Sequence, residues 1–213
     1  MEESDQKEAQ ESIRHYVWSG FYSPDEIARI IGEELFEPET FDKAWLNTQI
    51  AEEFSKKHLD EQAWPEPTDC ERLDKVFAEL QVKKIIALQN AGYTQSDGLS
   101  DITEKWIKAG EEKSDIEGYC FFHGQDLERA VVGDGLMLTF GDILGADEKG
   151  VMIGKTISQV LTAYGFAVDW DGTTAKRINV PNIKWHKRFA SKQPVPKPKP
   201  SGLSWMFWRD EMA

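Results

Sequence analysis

Cysteine, histidine, long apolar runs and positive charge are all scarce in this chain, and each scarcity excludes something. Two Cys among 213 residues cannot build a disulfide framework, and Cys70 and Cys120 each sit inside an apolar pattern that predicts buried, reduced thiols. Among four His there is no His-Glu-x-x-His, and no Cys-x-x-Cys or dinucleotide fingerprint occurs. No metal site is therefore predicted, and which cofactor the chain uses, if any, is unknown from sequence. His15, His58 and His186 are scattered without metal-ligand spacing. No apolar run approaches the length of a membrane span, so no membrane partner is expected. The start, Met1-Glu2-Glu3-Ser4-Asp5, has neither the positive nor the apolar region of a signal peptide, and the expected compartment is the cytoplasm. Lys and Arg number 25 against 38 Asp and Glu, a net charge of −13. Nucleic-acid binding gains most of its affinity from cations on phosphates, so an acidic surface argues against it and favours a basic protein partner.

What is present suffices for a core. Apolar residues make up 40% of the chain, with 8 Trp and 11 Phe as large anchors, which predicts a folded globular protein. The N-terminal part reads as helical. Ser23-Pro24-Asp25-Glu26 is a capping box with proline in the first turn, and Ile27, Ile30 and Ile31 follow at helical spacing. A second helix follows Pro38, burying Phe41, Trp45 and Phe54. Thr68-Asp69-Cys70-Glu71 is another capping box, ahead of a stripe of Cys70, Leu73, Val76, Phe77 and Leu80.

After Lys84 the pattern changes to short apolar runs between helices. Strands are predicted at Ile85–Leu88, Tyr119–Phe122 and Leu136–Phe140, with closing strands at Phe166–Trp170 and Arg177–Trp185, the last bent at Pro181. Helices are predicted near Asp101–Lys108, Asp126–Val132 and Val151–Tyr164. Alternation of this kind gives an α/β or α+β fold: a mixed, partly parallel sheet with flanking helices and a helical N-terminal layer. The expected organisation is a helical region over 1–82, a sheet domain over 83–189 and a strap over 190–213. In the strap, Pro194 to Pro200 alternates proline with lysine and valine, an extended polyproline-like run. Trp205, Phe207 and Trp208 beyond it form an apolar cluster that docks on the chain itself or on a partner, including a second subunit.

Two near-motifs fail on inspection. Gly150-Val151-Met152-Ile153-Gly154-Lys155-Thr156 has three residues between its glycines where a phosphate-binding loop has four, and those residues are apolar. Thr94-Gln95-Ser96-Asp97-Gly98 has Thr94 where a nucleophile elbow needs glycine, which leaves Ser96 a poor nucleophile. The denser chemistry lies in three polar loops after predicted strands. The first holds Gln89, Asn90, Tyr93 and Asp97; the second His123, Gln125, Asp126 and, one turn on, Arg129; the third Asp142. If their strands run parallel and adjacent, these groups meet beyond the strands' carboxyl ends. His123 and Asp126 are then the catalytic candidates, a base oriented by a carboxylate, and the others are ligand-binding candidates. The same residues have plain roles too. Asn90-Ala91-Gly92 and Ser96-Asp97-Gly98 are turn compositions, Asp126 suits a helix start, and Arg129 can pair with it.

The stretches Ala87–Gly98 and Gly118–Ala130, with Val17-Trp18-Ser19-Gly20-Phe21 and Trp64-Pro65, resemble those of a bacterial family of uncharacterised domains. The resemblance runs to about Arg188 and leaves out the strap. It implies no activity, and no catalytic residue is carried over from it. Three functions compete on the residues alone. The first is a non-catalytic protein-binding factor of immunity or antitoxin type, supported by charge and by the aromatic terminus. The others are a hydrolase using His123 and Asp126, and a sensor of small molecules using Gln89, Tyr93, Gln125 and Arg129.

Overall fold

A computed structural model describes residues 3–37 and 40–189. The strap and the aromatic terminus, with Trp205, Phe207 and Trp208, lie outside the described residues. The described chain falls into two compact units: residues up to Gln62 together with Phe189, and Ala63–Arg188.

The first unit is helical. Helices α1 (Glu3–Ser19), α2 (Pro24–Arg29) and α3 (Lys43–Glu61) are joined by a π-helical turn at Ile30–Leu35 that continues α2. The Ser23 box forms as the sequence predicts, the side chain accepting from the Glu26 amide while Glu26 reaches back to the Ser23 amide. The apolar stripes converge on Ile13, Val17, Ile27, Ile31, Leu46 and Ile50. Lys57 is 1% exposed, and its ammonium donates to the Val17 carbonyl at 2.9 Å. That bond compensates for burying a charge.

The second unit is α+β. Helices α4 (Asp69–Val82), α5 (Gln95–Ala109), α6 (Gly124–Val132) and α7 (Asp147–Ala163) flank strands β1 (Ile85–Leu88), β2 (Gly118–Phe121), β3 (Leu136–Asp142) and β4 (Ile178–Val180). The strands lie in the order β1-β2-β3-β4. The first pair is parallel; β3 returns antiparallel to β2, and β4 antiparallel to β3. This is the mixed, partly parallel sheet that the alternating pattern predicts.

One face carries Cys120, Leu136, Leu138, Phe140, Ile178 and Val180, all buried. It packs under α4 and α7, with the Phe77 ring on Phe122 and Phe140 beside Gly154. The opposite face carries Tyr119 and Phe121 of β2, Met137 and Thr139 of β3, and Asn179 of β4, as alternation along paired strands requires. Helix α5 covers only the Phe121 part of this face. Gly98 makes the approach possible: a Cβ there would lie 2.2 Å from the Phe121 ring. The Ser96-Asp97-Gly98 triplet is therefore helical rather than a turn, because Thr94 and Asp97 form a third capping box and start α5 at Gln95, well before Asp101.

The two closing strands are shorter than the sequence suggests. Pro181 offers no amide and ends β4 after Val180. Ile183 and Trp185 beyond it are 4% and 6% exposed, held by side-chain packing such as Trp185 edge-on to Phe122. Of Phe166–Trp170, Asp169 alone pairs, in a single antiparallel bridge with Asn179.

Candidate functional site

The parallel pairing of β1 and β2 brings two of the three polar loops together. Beyond the strands the ladder continues as backbone bonds. Ala91 donates to the Phe122 carbonyl at 2.9 Å, Gly124 to Gly92 at 3.0 Å, and Gln125 to Tyr93 at 3.2 Å. Asn90, at φ 52°, and Gly92, at φ 59°, adopt the left-handed turn that lets the first loop track the second. The third loop is elsewhere. Because β3 runs antiparallel, Asp142 lies opposite Gly118 at the other end of β2. Its carboxylate accepts from the Leu144 and Ala146 amides, both at 3.0 Å, and so organises the turn into α7.

Where the first two loops meet, His123 and Asp126 stand side by side, 4% and 1% exposed. His123 Nε2 is 3.0 Å from Asp126 Oδ2, and the His123 amide donates to the same oxygen at 3.3 Å. The third member is Arg177, just before β4. Its Nη1 donates to Asp126 Oδ1 at 2.8 Å and Oδ2 at 3.1 Å, and lies 3.3 Å from His123 Nε2. His123 Nε2 thus faces both a carboxylate and a guanidinium, and it donates to Asp126 in the tautomer that carries its proton there. Burial holds the His123 pKa below its ordinary value, against the pull of the Asp126 charge.

Beside this triad, the Tyr93 hydroxyl donates to Glu128 Oε2 at 3.4 Å. Burial pushes the Glu128 carboxyl up to about 7, the hydrogen bond from Tyr93 opposing it, and raises the Tyr93 phenol as well.

Other sequence candidates have local duties. Asp97 accepts from the Thr94 amide at 2.9 Å. The Gln89 amide donates to Asp74 of α4 at 2.8 Å. Arg129 is exposed and donates to the Asp134 carbonyl at 2.9 Å, so Arg177, not Arg129, pairs with Asp126.

Arg177 also lines a pocket of about 640 Å³ over the part of the sheet that α5 leaves bare. Thr139, Asn179, Tyr119 and Gln95 line it, as does Trp170, which stands edge-on to Phe140. Thr139 Oγ1 and Asn179 Oδ1 are buried and have no hydrogen-bond partner. Four charged side chains also line it: Asp169, Asp171, Lys176 and Arg177. Sequence reasoning passed over all of these except the loops' own residues. Thr139 and Asn179 read as ordinary alternating strand positions, and no local motif joins Arg177 to a residue fifty-one positions earlier. The legible signal was faint: polar residues at period two inside otherwise apolar strands.

Among the described residues, no group of three or more His, Cys, Asp or Glu is placed to hold a metal ion, and no helix is long and apolar enough to cross a membrane. Fold and site together define an α+β unit in which a buried His–Asp pair joins a half-buried Arg at the edge of a polar pocket. The chain belongs to the domain of unknown function family DUF6891, which matches residues 2–189. No curated protein and no solved structure matches it.

Proposed function

We propose that the chain binds a small polar molecule in the pocket over β3 and β4. The observation that carries this reading is the pocket itself, about 640 Å³ in volume, whose lining gathers Thr139, Asn179, Asp169 and Arg177. On this reading His123 and Asp126 are positioning residues: they fix one nitrogen of the Arg177 fork and leave the rest of it toward the pocket. A hydrolytic role for His123 is disfavoured because its Nε2 is engaged by Asp126 and Arg177 and the ring is nearly sealed. Tyr93, Asn90 and Gln125 build the loop ladder that carries the triad.

The test is calorimetric titration and thermal denaturation of the full chain with amino acids, neutral sugars and nucleosides, repeated on Met137→Trp, which fills the pocket from a half-buried position on β3. The variant should keep its melting temperature nearly unchanged and lose the ligand that stabilises the wild type. A silent panel, or a ligand indifferent to Met137→Trp, would sink the pocket reading.

A second reading, a protein-binding factor of immunity or antitoxin type, is favoured by one observation, the net charge of −13. A basic partner would associate quickly, and its association rate would fall steeply with added salt. Recovery of no stoichiometric basic partner from the source cell would count against it.

A further inference from the structure

The charges around the pocket narrow what it can hold, provided the pocket is a ligand site as proposed above. Its four charged side chains are two acids and two bases, so the lining carries no net charge. A polyanion or polycation would meet its own sign at the wall as often as the opposite one. Asp171 and Lys176 neutralise one another at the rim, 3.6 Å apart. That leaves Asp169 and Arg177.

Among the described residues, nothing forms an ion pair with Asp169, and Arg177 uses Nη1 alone on Asp126. The two are not paired with each other. Asp169 bridges Asn179, and Arg177 stands two residues before Asn179, which makes them diagonal neighbours about 7–8 Å apart along the ladder. Two opposite charges are thus held beyond ion-pair distance in one lining, Arg177 with the side of its fork that Asp126 does not occupy.

From this arrangement we infer that the ligand is a small zwitterion, an α-amino acid or a close analogue. Its carboxylate lies on the free side of the Arg177 fork, the residue type suited to planar recognition of carboxylates. Its ammonium lies on Asp169. The ligand's side chain takes up the rest of a cavity of about 640 Å³, which leaves room for a large one.

The experiment is calorimetry on the full chain with individual L-α-amino acids, each compared with its amide, which lacks the carboxylate, and its N-acetyl form, which lacks the ammonium. A neutral hexose and inorganic phosphate are the controls. At least one free amino acid should bind with one-to-one stoichiometry. Blocking either pole should weaken it tenfold to a hundredfold, on the order of one charge-assisted hydrogen bond. Asp169→Asn, at an exposed position, should leave the melting temperature unchanged and remove most of the preference for the free over the acetylated amine. Equal binding of free and blocked forms overturns the zwitterion. So does binding of the hexose or phosphate while the amino acids are silent, and that result leaves the pocket reading standing if Met137→Trp abolishes it. Silence from every probe overturns both.

Discussion

Arg177 reaches back fifty-one residues to hold both oxygens of Asp126, with Nη1 at 2.8 and 3.1 Å. The Asp126 carboxylate is thereby shared by a guanidinium, an imidazole and a backbone amide. Asp126→Asn keeps the volume but loses the charge that the buried partners need. It should destabilise the protein by about 2–3 kcal/mol, below the full cost of breaking a buried pair because Arg177 retains access to water. Denaturant titration of the full chain checks this; a loss under about 0.5 kcal/mol would mean that the triad contributes nothing to the fold.

His123 and Glu128 should make stability depend on pH in opposite directions. The folded His123 pKa lies below its unfolded value, so below about pH 6.5 the unfolded chain takes up the proton first and stability falls as pH drops. The folded Glu128 pKa lies near 7, above its ordinary 4.5. The folded state then holds a proton that the unfolded state has released, and stability falls as pH rises from about 4.5 to 7. Glu128→Gln removes the second effect. The variant should match the wild type near pH 5 and exceed it by about 1–3 kcal/mol at pH 8, a gap measurable by urea titration at the two pH values. No gap at pH 8 would mean that Glu128 ionises normally in the fold.

Gly98 separates a packing role from a turn role. Alanine there would suit a helix by propensity, yet its methyl would meet the Phe121 ring at 2.2 Å. Gly98→Ala should cost about 1–3 kcal/mol as overpacking, read as a fall in melting temperature. A stabilised variant would show that α5 stands further from the sheet.

How far the sequence could be read follows from the range of the forces involved. The capping boxes at Ser23 and Thr68 and the stripe from Cys70 to Leu80 are local, and the structure realises them. The Thr94 box is equally local, but Asp in place of Glu at its third helical position disguised it as a turn. The strand direction of β3 depends on tertiary packing, so sequence alone could not separate Asp142 from the other two loops. The meeting of His123 and Asp126 followed from a three-residue spacing; the joining of Arg177 to them did not follow from any spacing.

Both thiols should be inert in the native protein. Burial pushes Cys70 up to about 12 and raises Cys120 as well, which leaves almost no thiolate near neutral pH. An aromatic disulfide reagent should release no signal from the folded chain and two equivalents after denaturation, one for each of its two Cys. Rapid labelling of the folded chain would mean that the α4 side of the sheet opens readily.

The alternation that builds the pocket also builds the core. Thr139 and Asn179 face the cavity because Leu138 and Ile178, their immediate neighbours, face α4 and α7. A slip of one residue in either strand would exchange the two sets, placing hydroxyl and amide in the apolar layer and leucine and isoleucine in the pocket lining. The make-up of the pocket and foldability therefore answer to the same ladder register. A substitution that loosens the pairing of β3 with β4 would cost both together, whereas one confined to the Asp169 rim would alter the pocket's charge alone.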